Sequence, residues 1–229
     1  MITYYSSRIN NLGEQFLNAK LKGAVSYDRI AGYFCSSILE VVGETIEAIA
    51  GKVRVVCNSS LAPSDVAVAK LGQRVEWNEF KPEEVYATPC AMARLRKLYE
   101  LLKSGKLEVR VLPDEVYGLM HGKAGVIIYP GGGKTSFLGS INETKSAFTT
   151  NYEIPWEDGD PASIVWVQAE FDFFWNNSYA VVSSWDCGRI RNISSLALSM
   201  SISCAAARDC CSPIRLAWAR RYSWPCPRS

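Results

Sequence analysis

Histidine is nearly missing from this chain: His121 is the only one among 229 residues. Chemistry that needs an imidazole must use that side chain or borrow one from another molecule. No run of eighteen apolar residues occurs, so a membrane-spanning helix is excluded. The opening MITYYSSRIN has no basic stretch leading into an apolar one, so no secretory signal is expected and the default compartment is the cytoplasm. A low charged fraction does not mean disorder here, because 21% charged and 48% apolar residues describe a globular chain with enough length for one sizeable core.

The last fifth lacks Lys and Glu altogether. From Ser183 onward there are seven Arg and two acids, Asp186 and Asp209, which makes this stretch +5 while residues 1–182 carry −3. Five of the eight cysteines fall there (Cys187, Cys204, Cys210, Cys211 and Cys226), and they include no CxxC pair. With no nearby His a zinc module is not expected, and a disulfide framework would need an oxidising compartment that nothing else supports. The composition break marks residues 181–229 as an atypical Cys/Ser/Arg-rich tail, frameshifted or disordered, behind a folded domain over 1–180. The positive net charge belongs to that tail and is no signal for nucleic acid.

Along the body, VSYDRIAGYF (25–34) reads as a strand, and Ser36 or Ser37 is placed to N-cap a helix whose Leu39, Val42, Ile46 and Ile49 share one face. KVRVVCN (52–58) reads as a buried strand, and PSDVAVAKLG as a short helix beginning at Pro63. The next helix puts Met92, Leu95, Tyr99 and Leu102 on one stripe, with Arg94, Arg96, Lys97 and Lys103 off it; Gly105 closes it before the strand LEVRVLP (107–113). GLMHGKAGVIIYP (118–130) and KTSFLGSIN (134–142) form a hairpin around Gly131-Gly132-Gly133, NYEIPW (151–156) adds a strand, and Asp160-Pro161 opens a last helix. The strand–helix rhythm argues for an α/β sandwich on a partly parallel sheet. PGGGKTS is no phosphate loop, because GxxxxGK[ST] needs a glycine at position 128, where Ile128 stands.

The informative constellation surrounds the lone imidazole. His121 and Lys123 are two apart in a strand-like run and so share a face. Ser140 and Asn142 do the same one hairpin later, and Glu153 follows in the next run. If these strands are neighbours, an imidazole, an ammonium, an amide and a carboxylate converge. Lys123 and Asn142, with donors around Ser140, suit the non-bridging oxygens of a phosphate. His121 can attack phosphorus, and Glu153 on its other nitrogen would fix the tautomer. No metal or other cofactor is required, since the cationic side chains neutralise the charge.

H-x-K, then G-S-x-N, then N-x-E, as they stand in YGLMHGKAGVIIYPGGGKTSFLGSINETKSAFTTNYEIPWED, resemble the phospholipase D superfamily, and within it the single-motif HKD nucleases. The run is similar to the phospholipase D-like domains of helicase-linked, restriction and anti-phage bacterial proteins, and the resemblance covers roughly residues 1–180. It implies a phospholipase D-like α-β-α sandwich with a mixed sheet, and a metal-independent phosphodiesterase that cleaves DNA through a phosphohistidine. Catalysis would fall to His121, Lys123, Asn142 and Glu153, with Ser140, Lys123 and Asn142 on the substrate phosphate. The fuller motif H-x-K-x4-D expects an acid at 128; Ile128 departs from it, which makes a lipid substrate less expected.

That chemistry uses two imidazoles, one as nucleophile and one as acid, on opposite sides of phosphorus. A single His therefore implies a homodimer with two His121 side chains across a twofold axis, or a second HKD-containing chain; a helicase is a further candidate partner. The alternative is a non-catalytic dimerisation or DNA-docking module, a truncated remnant of a helicase-linked protein. A Ser140–His121–Glu153 acyl hydrolase is disfavoured because Leu138-Gly139-Ser140-Ile141-Asn142 is not a GxSxG elbow.

Overall fold

A computed structural model describes residues 2–74, 77, 88–112 and 117–181. The tail over 182–229, with its five cysteines, lies outside the described residues.

The expected mixed sheet is present. Its strands are β1 (Ile2–Tyr4), β2 (Ser26–Ile30), β3 (Val53–Cys57), β4 (Leu107–Val111), β5 (Ala124–Ile128), β6 (Lys134–Gly139), β7 (Pro155–Asp158) and β8 (Tyr179–Ala180), ordered β1-β7-β6-β5-β2-β3-β4-β8. β2, β3 and β4 run parallel because helices connect them: α2 (Leu39–Ala48) between the first two, α3 (Pro63–Arg74) and α4 (Pro89–Lys103) between the next. The remaining pairings are antiparallel, including the β5–β6 hairpin, whose turn places Gly131 at φ 77° and Gly132 at φ 86°, a conformation open to glycine. The segment that resembled a phosphate loop is therefore a hairpin turn entering a strand.

Alternation along β2 divides the molecule into two layers. Tyr27 and Ala31 join a broad core with Phe16, Leu17, Val42, Ile46, Leu95 and Leu98, covered by α2, α3, α4, a short α5 (Lys145–Thr149) and a π-helical turn over Leu12–Asn18 that runs into α1 (Ala19–Leu21). Ile30 faces the other way, into a smaller core closed by one helix, α6 (Pro161–Asn176), through Ile164, Val167, Phe171 and Trp175. Each fully buried Leu, Ile or Phe contributes roughly 1.5–3 kcal/mol, so the broad layer supplies most of the apolar stabilisation. α6 is apolar on both sides: Val165, Trp166 and Phe173 are exposed on its outer surface.

Helix ends follow the sequence in part. Asp160 caps α6 through Ala162 N and Ser163 N, Thr88 caps α4 through Ala91 N, and Gly105 beyond α4 has φ 69°. Neither of the two expected caps, Ser36 or Ser37, caps α2: Ile38 stands at its N-cap, and Ser37 Oγ accepts from Lys145 N instead. A 3-10 turn (Ser36–Ile38) precedes α2, and the Ser36 amide and hydroxyl both donate to Asp65, each at 2.6 Å, because Ser36 is buried against α3 and cannot face its own helix end. No helix among the described residues is long and apolar enough to cross a membrane.

Candidate active site

β5, the next strand after β4 in the sequence, pairs with β2 on the opposite side from β3. The carboxyl end of β2 is therefore a switch point with strands reached in both directions, the place where open α/β sheets leave a crevice. His121 and Lys123 lie in the extended lead-in to β5, Ser140 and Asn142 just after β6, and Glu153 just before β7, so all five predicted residues gather at one end of the sheet. None of the five is inside a strand, contrary to the strand-like runs expected for them. The strands are shorter than their apolar patterns because backbone pairing ends where the chain turns to make the site.

Lys123 is 8% exposed, whereas the His121 ring is exposed. The Lys123 ammonium donates to the His121 carbonyl at 2.8 Å and stands 3.4 Å from Nδ1 of the ring. Its pKa is lowered, first by burial and then by the nearby Arg29 charge, while Glu153 opposes the shift. Lys123 is thus a desolvated cation with a strong demand for an anion.

The carbonyl oxygen of Asn142 accepts from Tyr33 N at 3.0 Å, which fixes the amide and leaves its NH2 group as a donor. Gly32 explains how the ammonium and this amide approach each other. A Cβ there would sit 3.0 Å from Lys123 Nζ and 3.1 Å from Asn142 Oδ1, so the absent side chain makes the space they share.

Glu153 is buried and placed by backbone. Its N–H donates to Ser7 Oγ and its carbonyl accepts from Ser7 N, both at 2.9 Å. The Ser140 hydroxyl donates to its carboxylate and accepts from Ile154 N at 3.1 Å, and Asn151 Nδ2 reaches the carboxylate at 3.5 Å. The expected His121–Glu153 hydrogen bond is not formed among the described residues. Ser140, expected on the phosphate, instead holds Glu153, because its hydroxyl already has a donor and an acceptor partner.

Four supporting residues escaped the sequence reading. Asn58, 4% exposed at the end of β3, donates to the carbonyls of Gly32 (2.6 Å) and Met120 (2.7 Å) and accepts from Met120 N (2.9 Å). One amide thereby joins the end of β2 to the segment carrying His121. Arg29, 1% exposed, donates to Glu143 at 2.6 Å and to the Ile141 carbonyl, and Tyr27 OH donates to Glu143 at 2.9 Å. Nη1 of Arg29 is buried without a partner among the described residues. The only available signals were a charge inside an apolar strand and an acid directly after Asn142; their pairing across 114 residues is not written in either.

The basic helix residues do not form a free cationic track. Arg94 pairs with Glu40 (2.8 Å), Arg96 with Glu100 (3.0 Å) and Lys97 with Glu47 (2.9 Å), while Lys103 donates to Tyr99 OH (2.8 Å).

A sequence model of the family described as cardiolipin synthase, PLD-like domain, matches residues 17–175. No curated protein matches the chain. Among solved structures, NucT from Helicobacter pylori is similar at 15% identity and a TM-score of 0.50, over 79% of this chain and 98% of that one. Nuc from Salmonella typhimurium, a phospholipase D family member, gives 14% identity and a TM-score of 0.49 over 79% and 97%. The likeness to NucT is one of fold. With the family match spanning most of the body that carries the H-x-K and G-S-x-N residues, the chain belongs to the phospholipase D-like family.

Proposed function

We propose that the body, residues 1–180, is a metal-independent phosphodiesterase that hydrolyses DNA through a phosphohistidine on His121, as a homodimer and in a restriction or anti-phage setting beside a helicase. The observation that carries this reading is the gathering of an exposed imidazole, a desolvated ammonium and a fixed side-chain amide at the space beside Gly32. That donor set is cationic and neutral, which matches phosphate oxygens rather than a metal ion.

Lys123 and Asn142 hold the non-bridging oxygens. A nitrogen of His121 attacks phosphorus, the P–N bond forms, the P–O bond to the leaving strand breaks, and the leaving oxygen takes a proton from a second imidazole. Water then attacks the phosphohistidine and gives its proton to that second imidazole as the P–N bond breaks. The second ring is the His121 of another copy, because this chain has no other.

Lys123 has only donors, so a hydrogen bond from it to Nδ1, 3.4 Å away, would use that atom's lone pair and put the ring proton on Nε2. Attack through Nε2 requires the ring to turn and Nδ1–H to find an acceptor, and Glu153 is the carboxylate of the set. Ser140 and Asn151 hold Glu153 at that position until then.

The test is cleavage of plasmid DNA in EDTA by the full chain and by His121→Ala. Cleavage is expected to survive the chelator and to fall by about a thousandfold or more in the variant. Size exclusion is expected to give twice the 25.4 kDa chain mass. Cleavage that persists in His121→Ala, or that stops without Mg²⁺, overturns the mechanism. A monomer that forms no phosphohistidine points to the docking-module alternative.

A further inference from the structure

Beside Glu153 lies a groove of about 630 Å³ between the loop after β1 and the segment from α5 to β7. Its walls include Ser7, Arg8, Asn10, Thr150, Asn151 and Tyr152. Two of these bind Glu153 directly, Ser7 through the backbone ladder and Asn151 through its amide, so the groove opens onto the candidate catalytic residues.

Most polar groups in the groove are occupied. Asn10 Oδ1 accepts from Ser6 N, and the Thr150 hydroxyl donates to the Ser146 carbonyl. Two side chains differ. The Arg8 guanidinium is exposed and makes no ion pair or hydrogen bond among the described residues, and no carboxylate lines the groove. Tyr152 presents 70% of its surface to solvent, one residue before Glu153. An unopposed guanidinium and a bare aromatic ring lining one polar groove match a nucleotide, whose phosphate pairs with the first and whose unpaired base stacks on the second.

We propose that this groove is a binding subsite for a single-stranded nucleic-acid segment flanking the scissile phosphate, with Arg8 on a neighbouring phosphate and Tyr152 under a base. The proposal rests on the phosphodiesterase reading for its orientation, but its binding chemistry is independent of cleavage. Stacking on Tyr152 requires an unpaired base, so a paired duplex cannot use that contact, and the subsite favours single strands or locally opened ends.

The experiment measures affinity, with the full chain carrying His121→Ala so that no cleavage intervenes. The probe is a fluorescein-labelled ten-nucleotide single strand, with the same sequence as a duplex, followed by anisotropy across a salt series. Arg8→Gln and Tyr152→Ala are each expected to weaken single-strand binding about tenfold, with less effect on the duplex for Tyr152→Ala. Arg8→Gln is also expected to reduce the salt slope by about one phosphate contact. Both residues are exposed, so thermal midpoints should match the parent and exclude a folding effect. Arg96→Gln removes the same charge on α4, away from the groove, and is expected to change affinity less than twofold.

Unchanged single-strand affinity in either groove variant overturns the subsite, as does an equal loss on the duplex in Tyr152→Ala. Affinity lost as expected while the parent chain cleaves nothing keeps the subsite and overturns the hydrolase. Cleavage that depends on His121 with affinity unchanged in the groove variants does the reverse.

Discussion

Asp28 and Arg29 are adjacent on β2, yet they face opposite layers and have different surroundings. Asp28 receives two bonds from Arg54, at 2.7 and 2.6 Å, and one from Gln168 on α6 at 3.1 Å. Arg54 also lies over Phe171 and Trp175, 4.9 and 5.3 Å from the ring centres. That ion pair is closed and bidentate, and it fastens the lone helix of its layer to the sheet. Arg29 has one carboxylate, Glu143, and one carbonyl, with a nitrogen left over and its charge felt at Lys123. The α6 side uses its pair to tie its helix to the sheet; the other side buries its pair, with one guanidinium nitrogen unpartnered among the described residues, beside Lys123. A single strand thus sets a half-exposed bidentate pair in one layer and a fully buried pair in the other by the direction its side chains point.

The contrast breaks most visibly if the two charges are removed in turn. Arg29→Met leaves Glu143 buried without its cation and is expected to lower unfolding free energy by about 3–5 kcal/mol in urea. Asp28→Asn leaves an Arg54 side chain that is 32% exposed and still lies on two rings, so a loss of about 1–2 kcal/mol is expected. Equal losses would mean the two pairs serve the same purpose.

Gly32→Ala sharpens the comparison at the active end. The added methyl would press on Lys123 Nζ and Asn142 Oδ1, which must shift by a few tenths of an ångström. Diesterase turnover is expected to fall about tenfold to a hundredfold, while the urea midpoint moves little.

Lys123→Met is expected to work in the opposite direction on stability. The folded pKa of Lys123 lies below the ordinary 10.5, so folding disfavours its charged form. That penalty is complete at pH below the lowered folded value and fades as pH climbs toward 10.5, where the unfolded chain loses the proton too. The variant should therefore be inactive yet more stable by about 1 kcal/mol or less at neutral pH, with the gain shrinking as the buffer approaches pH 10. A stability loss would show that Lys123 is held by its partners rather than strained by burial. The smallest effect is expected outside both layers. Lys97→Gln, which breaks a surface pair with Glu47, should change unfolding free energy by less than about 0.5 kcal/mol.

Elements that bury a repeating stripe were readable before any coordinates. α2 buries Leu39, Val42 and Ile46 as spaced, α4 buries Leu95 and Tyr99 of its stripe, and Asp160 and Gly105 mark real helix ends. β1 was missed because its three residues are all exposed and pair only at an edge, so no apolar period marks it. The π-helical turn was missed because its spacing does not follow 3.6 residues. At the site, residue types named the candidate set, and topology alone decided who touches whom. Glu153 meets Ser140, and Ser36 meets Asp65, through contacts between segments that no local pattern connects.

The first residues also bear on handling the protein. Ile2–Tyr4 cover the outer edge of β7, and Tyr5 N and Ser7 N continue the ladder onto the carbonyls of Pro155 and Glu153. Trimming this segment, or pulling it aside with a fusion partner, would uncover an adhesive strand flank carrying Trp156 and release the main chain of Glu153 in the same act. Purification handles belong elsewhere on the molecule.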